Sequence, residues 1–493
     1  MTHLLRTTLY SALIITCSTF SRLEAAAELK LAGIFSDNMV LQQECDAAIW
    51  GRAEVGAEVE LKASWGGGTE RVKADADGKW KTTLKTPSAG GPFKVTVTSG
   101  DDTVELKNVL SGEVWLCTGQ SNMQWKMRGF GPEEFKDDLD KAGRPEIRLV
   151  TLPQVLALEE QEDAGAKWQV CTPGTAGNFS AVGYFFGSIV QQEIDVPVGL
   201  VSTNWGGSSA EAWTSSAALE KGFPEFRERM DSYAGIIDET GVVYSRNVQK
   251  PKGLNHRNPA VLYNSMIKPL IPFAMRGVIW YQGESNVKDP VQYRKLFPAM
   301  IRDWRENWGI GDFPFYFVQI APYHYKTEKI PVAFLREAQM MALSEPNTGM
   351  VVTMDVGDPT NIHPRGKKPV GERLAKLALS RTYGKKGLVD SGPIYSKMRV
   401  EGDRIRLGFN HVGGGLVSRD GGKLTHFTIA GADRKFVEAE AVIDRNSVVV
   451  SSAEVANPVA VRYGWGNADE PNLANKEGLP SPSFRTDDWE IGE

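Results

Sequence analysis

The chain has 493 residues, of which 41% are hydrophobic and 24% charged, and its formal net charge is -5. That length allows more than one domain and a sizeable core. Mild acidity without basic runs excludes the electrostatic footprint of a nucleic-acid-binding protein. At the N-terminus Arg6 precedes an apolar stretch from Leu9 to Phe20, and Ala25-Ala26-Ala27 follows. Charged, apolar and small residues in that order predict a cleaved signal peptide over residues 1–27, and hence a secreted or periplasmic protein. The apolar run is too short to span a membrane, and no other segment approaches spanning length. Cys17 falls within that peptide; of the other cysteines, Cys45, Cys117 and Cys171, two could pair and at least one thiol is left over. Their spacing selects no pair and matches no metal site.

Residues 28–107 read as a small β-sandwich-like domain. Val59 to Ala63 and Phe93 to Val97 alternate apolar with polar residues, and Gly66-Gly67-Gly68 and Asp77-Gly78 punctuate them. Residues 108–385 change character. Short apolar runs at Gly112–Cys117, Val198–Ser202, Gly277–Tyr281, Phe315–Ile320 and Met350–Met354 predict buried strands. Helical periodicity falls between them at Ala181–Ile194, Pro290–Trp308 and Pro331–Ser344, and follows at Lys368–Leu379. Strands alternating with helices predict an α/β domain with a mostly parallel sheet covered on both faces. Residues 236–258, polar and irregular, are a candidate active-site loop. From 386 to 493 the texture returns to β: Met398 to Phe409 alternates, and Ser447 to Ser451 is rich in valine.

Ligands of open α/β sheets bind beyond the carboxyl ends of the strands. Those ends here carry Gly119-Gln120-Ser121-Asn122-Met123, Asn204-Trp205-Gly206-Gly207, Gln282-Gly283-Glu284-Ser285-Asn286, and Asp355 to His363. A hydroxyl, a tight glycine turn, amide side chains and an imidazole are the parts of acyl transfer. Ser121 at a strand-to-helix turn is the candidate nucleophile; alone it reads equally well as a helix N-cap. Its own N–H, that of Gly207, and the side-chain amides of Gln282 and Asn286 are candidate oxyanion donors. His363 is the one histidine that both follows a strand-exit loop and precedes a predicted helix, so it is the candidate base. Neither a metal nor another cofactor is called for.

The segments Gly119–Met123, Trp280–Asn286 and Ile362-His363-Pro364 resemble the sialate O-acetylesterase family, within the SGNH (GDSL-like) hydrolases. The resemblance extends to Asn204–Ser215, to Val370–Ala375 and to both flanking β-regions. It implies a three-layer α/β/α catalytic domain, hydrolysis of acetyl esters on carbohydrate, and the roles above for Ser121, His363, Gly207 and an amide of the Gln282 loop. One departure matters. Many SGNH enzymes place an Asp three residues before the histidine, and closer relatives two before it; here those positions are Thr360 and Asn361. Asp358 is therefore the first choice for the acid of the triad, Asp355 the second and Asn361 the third.

Gln120, Glu284 and Arg336 are taken as substrate contacts. A dedicated sialate site calls for a cation near the pocket, and Arg257, Arg336 and Arg365 are its candidates. The expected partner is an O-acetylated sugar or polysaccharide. The rival readings are a deacetylase of xylan, pectin or another plant or algal polysaccharide on the same fold, and a non-catalytic carbohydrate-binding protein.

Overall fold

The computed structural model describes residues 28–490, apart from 130, 132–133, 241, 248–249 and 326–331. The signal peptide expected over residues 1–27 lies outside the described residues. The protein has a mixed α/β fold with one large mixed sheet and several smaller β-sheets.

Seven strands of the large sheet position the site. They are β1 (Asp102–Gly119), β2 (Arg144–Thr151), β3 (Gln169–Cys171), β4 (Val198–Asn204), β5 (Gly277–Tyr281), β6 (Phe315–Val318) and β7 (Thr348–Val351). Their order is β3-β2-β4-β1-β5-β6-β7. All neighbours are parallel except β3, which runs antiparallel to β2 at the edge. The sequence reading found β1 and β4 to β7 but missed β2 and β3. The polar residues of Arg144–Arg148 hide β2, whose inner half, Ile147 to Val150, is nonetheless buried.

Alternation along each strand sends side chains to two cores. Leu116, Val278, Trp280, Phe315 and Phe317 pack with Tyr293, Phe297, Ile301 and Trp304 of the helix Pro290–Trp308. Trp115, Cys117, Ile279, Tyr281, Tyr316 and Val318 pack instead with the helices Ala181–Ile194 and Lys367–Leu377. Burial from both sides is why these strands read as unbroken apolar runs.

The first half of β1 belongs to the N-terminal β-region, pairing with Gly90–Ser99 and with Val40–Gln42. One strand thus runs unbroken past position 107, where the composition changes. A separate β-region follows residue 394, with its own core around Ile405, Leu407, Phe427, Val448, Tyr463 and Phe484. Cys45, Cys117 and Cys171 are all free thiols, so the disulfide allowed by their number does not form among them. Burial raises the pKa of each, that of Cys171 to about 11. Among the described residues, no helix is long and apolar enough to cross a membrane.

Candidate active site

Three strand ends are laced together where Ser121 emerges. The backbone N–H of Gln120 donates to the Tyr281 carbonyl at 2.9 Å, and that of Trp205 to the Gly119 carbonyl at 3.0 Å. Gly119 has φ of +134°, and a Cβ there would lie 2.2 Å from the Tyr281 carbonyl oxygen, so only glycine lets the chain turn this close to β5. The next residues form a single helical turn, Ser121–Gln124.

The Gly206-Gly207 turn beyond β4 is pinned to the same place. Gly206 N–H donates to Gln124 Oε1 at 2.7 Å, and a Cβ on Gly206 would lie 3.3 Å from the Cβ of Ser121. Gly207 has φ of +78°, the left-handed conformation in which a side chain would be strained. Among the described residues, neither the N–H of Ser121 nor that of Gly207 has a hydrogen-bond partner.

Beneath Ser121 lies a polar network that the sequence reading did not find. Asn122 is fully buried. Its amide nitrogen donates to Glu284 Oε1 at 2.5 Å and to the Ile362 carbonyl at 3.1 Å, and its amide oxygen accepts from Lys367 Nζ at 2.6 Å. The residue after Ser121 therefore holds the residue before His363. Lys367 is itself fully buried, and its ammonium faces the rings of Trp125 and Tyr281. Burial depresses its pKa to about 7 against the opposing pull of Glu284, while burial raises that of Glu284.

His363 is half-buried, with its ring 5.2 Å from that of Trp125, and its backbone N–H donates to Asn361 Oδ1 at 3.0 Å. Burial and then the charge of Lys367 hold its pKa below the ordinary histidine value, which favours the neutral, proton-accepting form.

Several expected roles are corrected by this geometry. Among the described residues, no hydrogen bond joins Asp358 to the His363 ring. Asp358 Oδ1 accepts from the Thr360 N–H and hydroxyl and from the Asn361 N–H, at 2.9, 2.7 and 3.1 Å, and so shapes the turn that carries His363. Asp355 forms a two-point ion pair with Arg373, at 2.7 and 2.6 Å. The amides expected to face the oxyanion are engaged elsewhere: Gln282 donates to Ser208 O and Asn286 Oδ1, and Asn286 donates to Glu211. Gln120 and Glu284 are buried under the site and offer substrate no surface. Arg336 is fully buried as well, donating to Ser483 Oγ and to the Gly464 and Gly466 carbonyls, where it clasps the C-terminal β-region.

On the other side of Gly207 stand His256 and Arg257, from the segment expected to be an active-site loop. His256 stacks on Trp205 with ring centroids 5.5 Å apart. A cleft of about 740 Å³ elsewhere, lined by Trp50, Arg52, Lys79, Lys81 and Glu162 among others, contains none of these site residues. Among the described residues, no cluster of three His, Cys, Asp or Glu side chains could hold a metal.

The family model for "Carbohydrate esterase, sialic acid-specific acetylesterase" matches residues 111–380, more than half of the chain. The chain belongs to that family. It is a carboxylic ester hydrolase, and it is similar over most of its length to sialate O-acetylesterases. The human one is 29% identical over 93% of both chains, and the mouse one is 32% identical over 76% of this chain and 77% of the relative. The crystal structure of a carbohydrate acetylesterase from Xanthomonas citri superposes with a TM-score of 0.83 at 38% identity, covering 94% of this chain and all of that one.

Proposed function

We propose that this member of the family is an exported serine esterase that removes O-acetyl groups from sugars through an acetyl-serine intermediate. The observation that carries the reading is the convergence on Ser121 of the Gly206-Gly207 turn and, through Asn122, of the loop bearing His363. Ser121 Oγ attacks the acetyl carbonyl carbon while His363 takes the hydroxyl proton. The resulting oxyanion is held by the backbone N–H groups of Ser121 and Gly207, each worth about 3 kcal/mol of barrier lowering. His363 returns the proton to the sugar oxygen as the C–O bond breaks. Water, deprotonated by His363, then attacks the acetyl-serine; His363 returns that proton to Ser121 Oγ as the acyl C–Oγ bond breaks, and acetic acid leaves, ionising to acetate.

Asp358 enters this mechanism as a positioning residue. It orders the Asn361 N–H, and Asn361 in turn holds the His363 backbone. The catalytic unit is therefore a Ser–His pair on a hydrogen-bonded turn. The two packed faces of the sheet support a three-layer SGNH-type arrangement for residues 108–385, between β-domains at 28–107 and 386–493. The order of charged, apolar and small residues before Glu28 supports export after cleavage near that point.

Acetate release from O-acetylated sialic acid and from acetylated xylan, by the wild type and by Ser121→Ala, tests the reading. Release that depends on Ser121 is expected. Binding of these glycans by a folded wild type that releases no acetate would favour the carbohydrate-binding alternative.

A further inference from the structure

Beside the oxyanion turn the protein presents a fixed, exposed cation that the reaction itself does not use. Arg257 Nε donates to the Gly207 carbonyl at 2.8 Å, and its guanidinium stands 3.7 Å from where a Gly207 Cβ would lie. The loop behind it is ordered: its backbone N–H donates to Asn255 Oδ1 at 2.9 Å, and its carbonyl accepts from Ser209 Oγ at 3.2 Å. The side chain is nevertheless exposed, and among the described residues no carboxylate lies within ion-pair distance of it. Most other arginines that hold such a fixed geometry are spent on a carboxylate, as Arg373 is on Asp355 and Arg462 on Asp487. Holding a long cationic side chain in place at a surface costs rotamer entropy. Anchoring through Nε leaves the terminal N–H groups of the fork, which suit a planar carboxylate.

The adjacent imidazole does not compete for that carboxylate. His256 is half-buried against Trp205, and burial and the Arg257 charge keep its pKa low, so it is a largely uncharged wall near neutral pH. Of the other arginines considered from sequence, Arg336 is consumed in the clasp to the C-terminal β-region, and the charge of Arg365 helps to lower the pKa of Asp358.

We infer that Arg257 is a specificity-determining residue that grips the carboxylate of an acidic sugar while the acetyl ester of the same sugar lies between Ser121 and Gly207. The inference rests on the esterase reading above and narrows it to carboxylate-bearing sugars, over neutral ones such as xylan. Sialic acid and a uronic acid share this chemistry, and the two differ in where the carboxylate stands relative to the ester.

The test is the ratio of kcat/KM for an O-acetylated acidic sugar to that for its carboxamide, which an esterase does not cleave to the acid. It is measured with O-acetylated sialic acid and with O-acetylated galacturonic acid, on the wild type, Arg257→Gln and Arg257→Lys. The wild type should prefer the free acid of one of the two sugars, which identifies the source of the carboxylate. Arg257→Gln should reduce that preference by about ten- to a hundredfold, the worth of hydrogen bonds to a charged group. Arg257→Lys, which keeps the charge without the anchored fork, should fall between. Because the readout is a ratio within each enzyme, a general loss of activity from a loosened Gly207 turn does not move it. An undiminished preference in Arg257→Gln would overturn the role of Arg257. A wild type that cleaves acid and carboxamide equally would overturn the substrate class while leaving the esterase reading intact. Absence of acetate release from every substrate would remove the esterase reading and this inference together.

Discussion

Replacing Asn122 by alanine should be the most damaging single change in the site that leaves Ser121 and His363 in place. The substitution removes hydrogen bonds to Lys367 Nζ, Glu284 Oε1 and the Ile362 carbonyl at once. Two of these involve charged groups, worth about 1.5–3 kcal/mol each, and the third is worth about 1 kcal/mol, so an unrelaxed loss would be roughly 4–7 kcal/mol. Lys367 and Glu284 carry opposite charges and recover part of it by moving together, which leaves about 3–5 kcal/mol, the usual cost of breaking a buried ionic network. The Ile362 carbonyl is also released, so His363 loses its tether to the nucleophile turn. A displacement of about 1 Å at a reacting group costs on the order of a hundredfold in rate. The assay pairs urea unfolding, followed by tryptophan fluorescence, with kcat on a chromogenic acetyl ester. A stability loss under about 1 kcal/mol together with near wild-type kcat would refute the view that Asn122 joins nucleophile and base.

Asp358→Asn keeps an oxygen that can accept from Thr360 and Asn361, so kcat should fall by less than about tenfold, whereas Asp358→Ala should cost more; a loss near the 10⁴-fold seen when a true triad acid is changed to its amide would restore Asp358 to the imidazole. The acid limb of the kcat/KM profile should lie below the unperturbed histidine value of about 6.5, because burial and Lys367 both disfavour imidazolium. Lys367→Met removes the positive charge, so imidazolium becomes less costly and the limb should move to higher pH; a limb that stays put or moves down would contradict the assignment. Arg336→Met leaves the Gly464 and Gly466 carbonyls and Ser483 without their donor, and should lower stability by roughly 3 kcal/mol or more, as read by urea unfolding.

Much of the fold was written in local pattern. β1, β4 and β5 announce themselves because parallel strands buried on both faces need unbroken apolar runs, and the Pro290–Trp308 helix because its apolar residues recur at helical spacing. The turn at Ser121 and the glycines at 206 and 207 were legible because chain reversal and close approach demand particular residues. The network was not. Asn122, Glu284 and Lys367 are 162 and 245 positions apart in their bonds, and in sequence Lys367 reads as an ordinary solvated lysine at a helix start. Arg336 misled in the same way, because only the fold shows that the C-terminal β-region closes over it. The amides of Gln282 and Asn286 were expected at the oxyanion because their chemistry suits it, but burial at 0% and 4% exposure requires that they first satisfy Ser208, Glu211 and each other.

The most direct measurement is the site of covalent labelling by a fluorophosphonate, which traps an activated serine. Intact-mass and peptide mapping of the labelled wild type should find one adduct, on Ser121, with loss of esterase activity in step with labelling. His363→Ala should label far more slowly. An active enzyme that stays unlabelled, or that carries its adduct on another residue while losing activity, would contradict a mechanism built on Ser121.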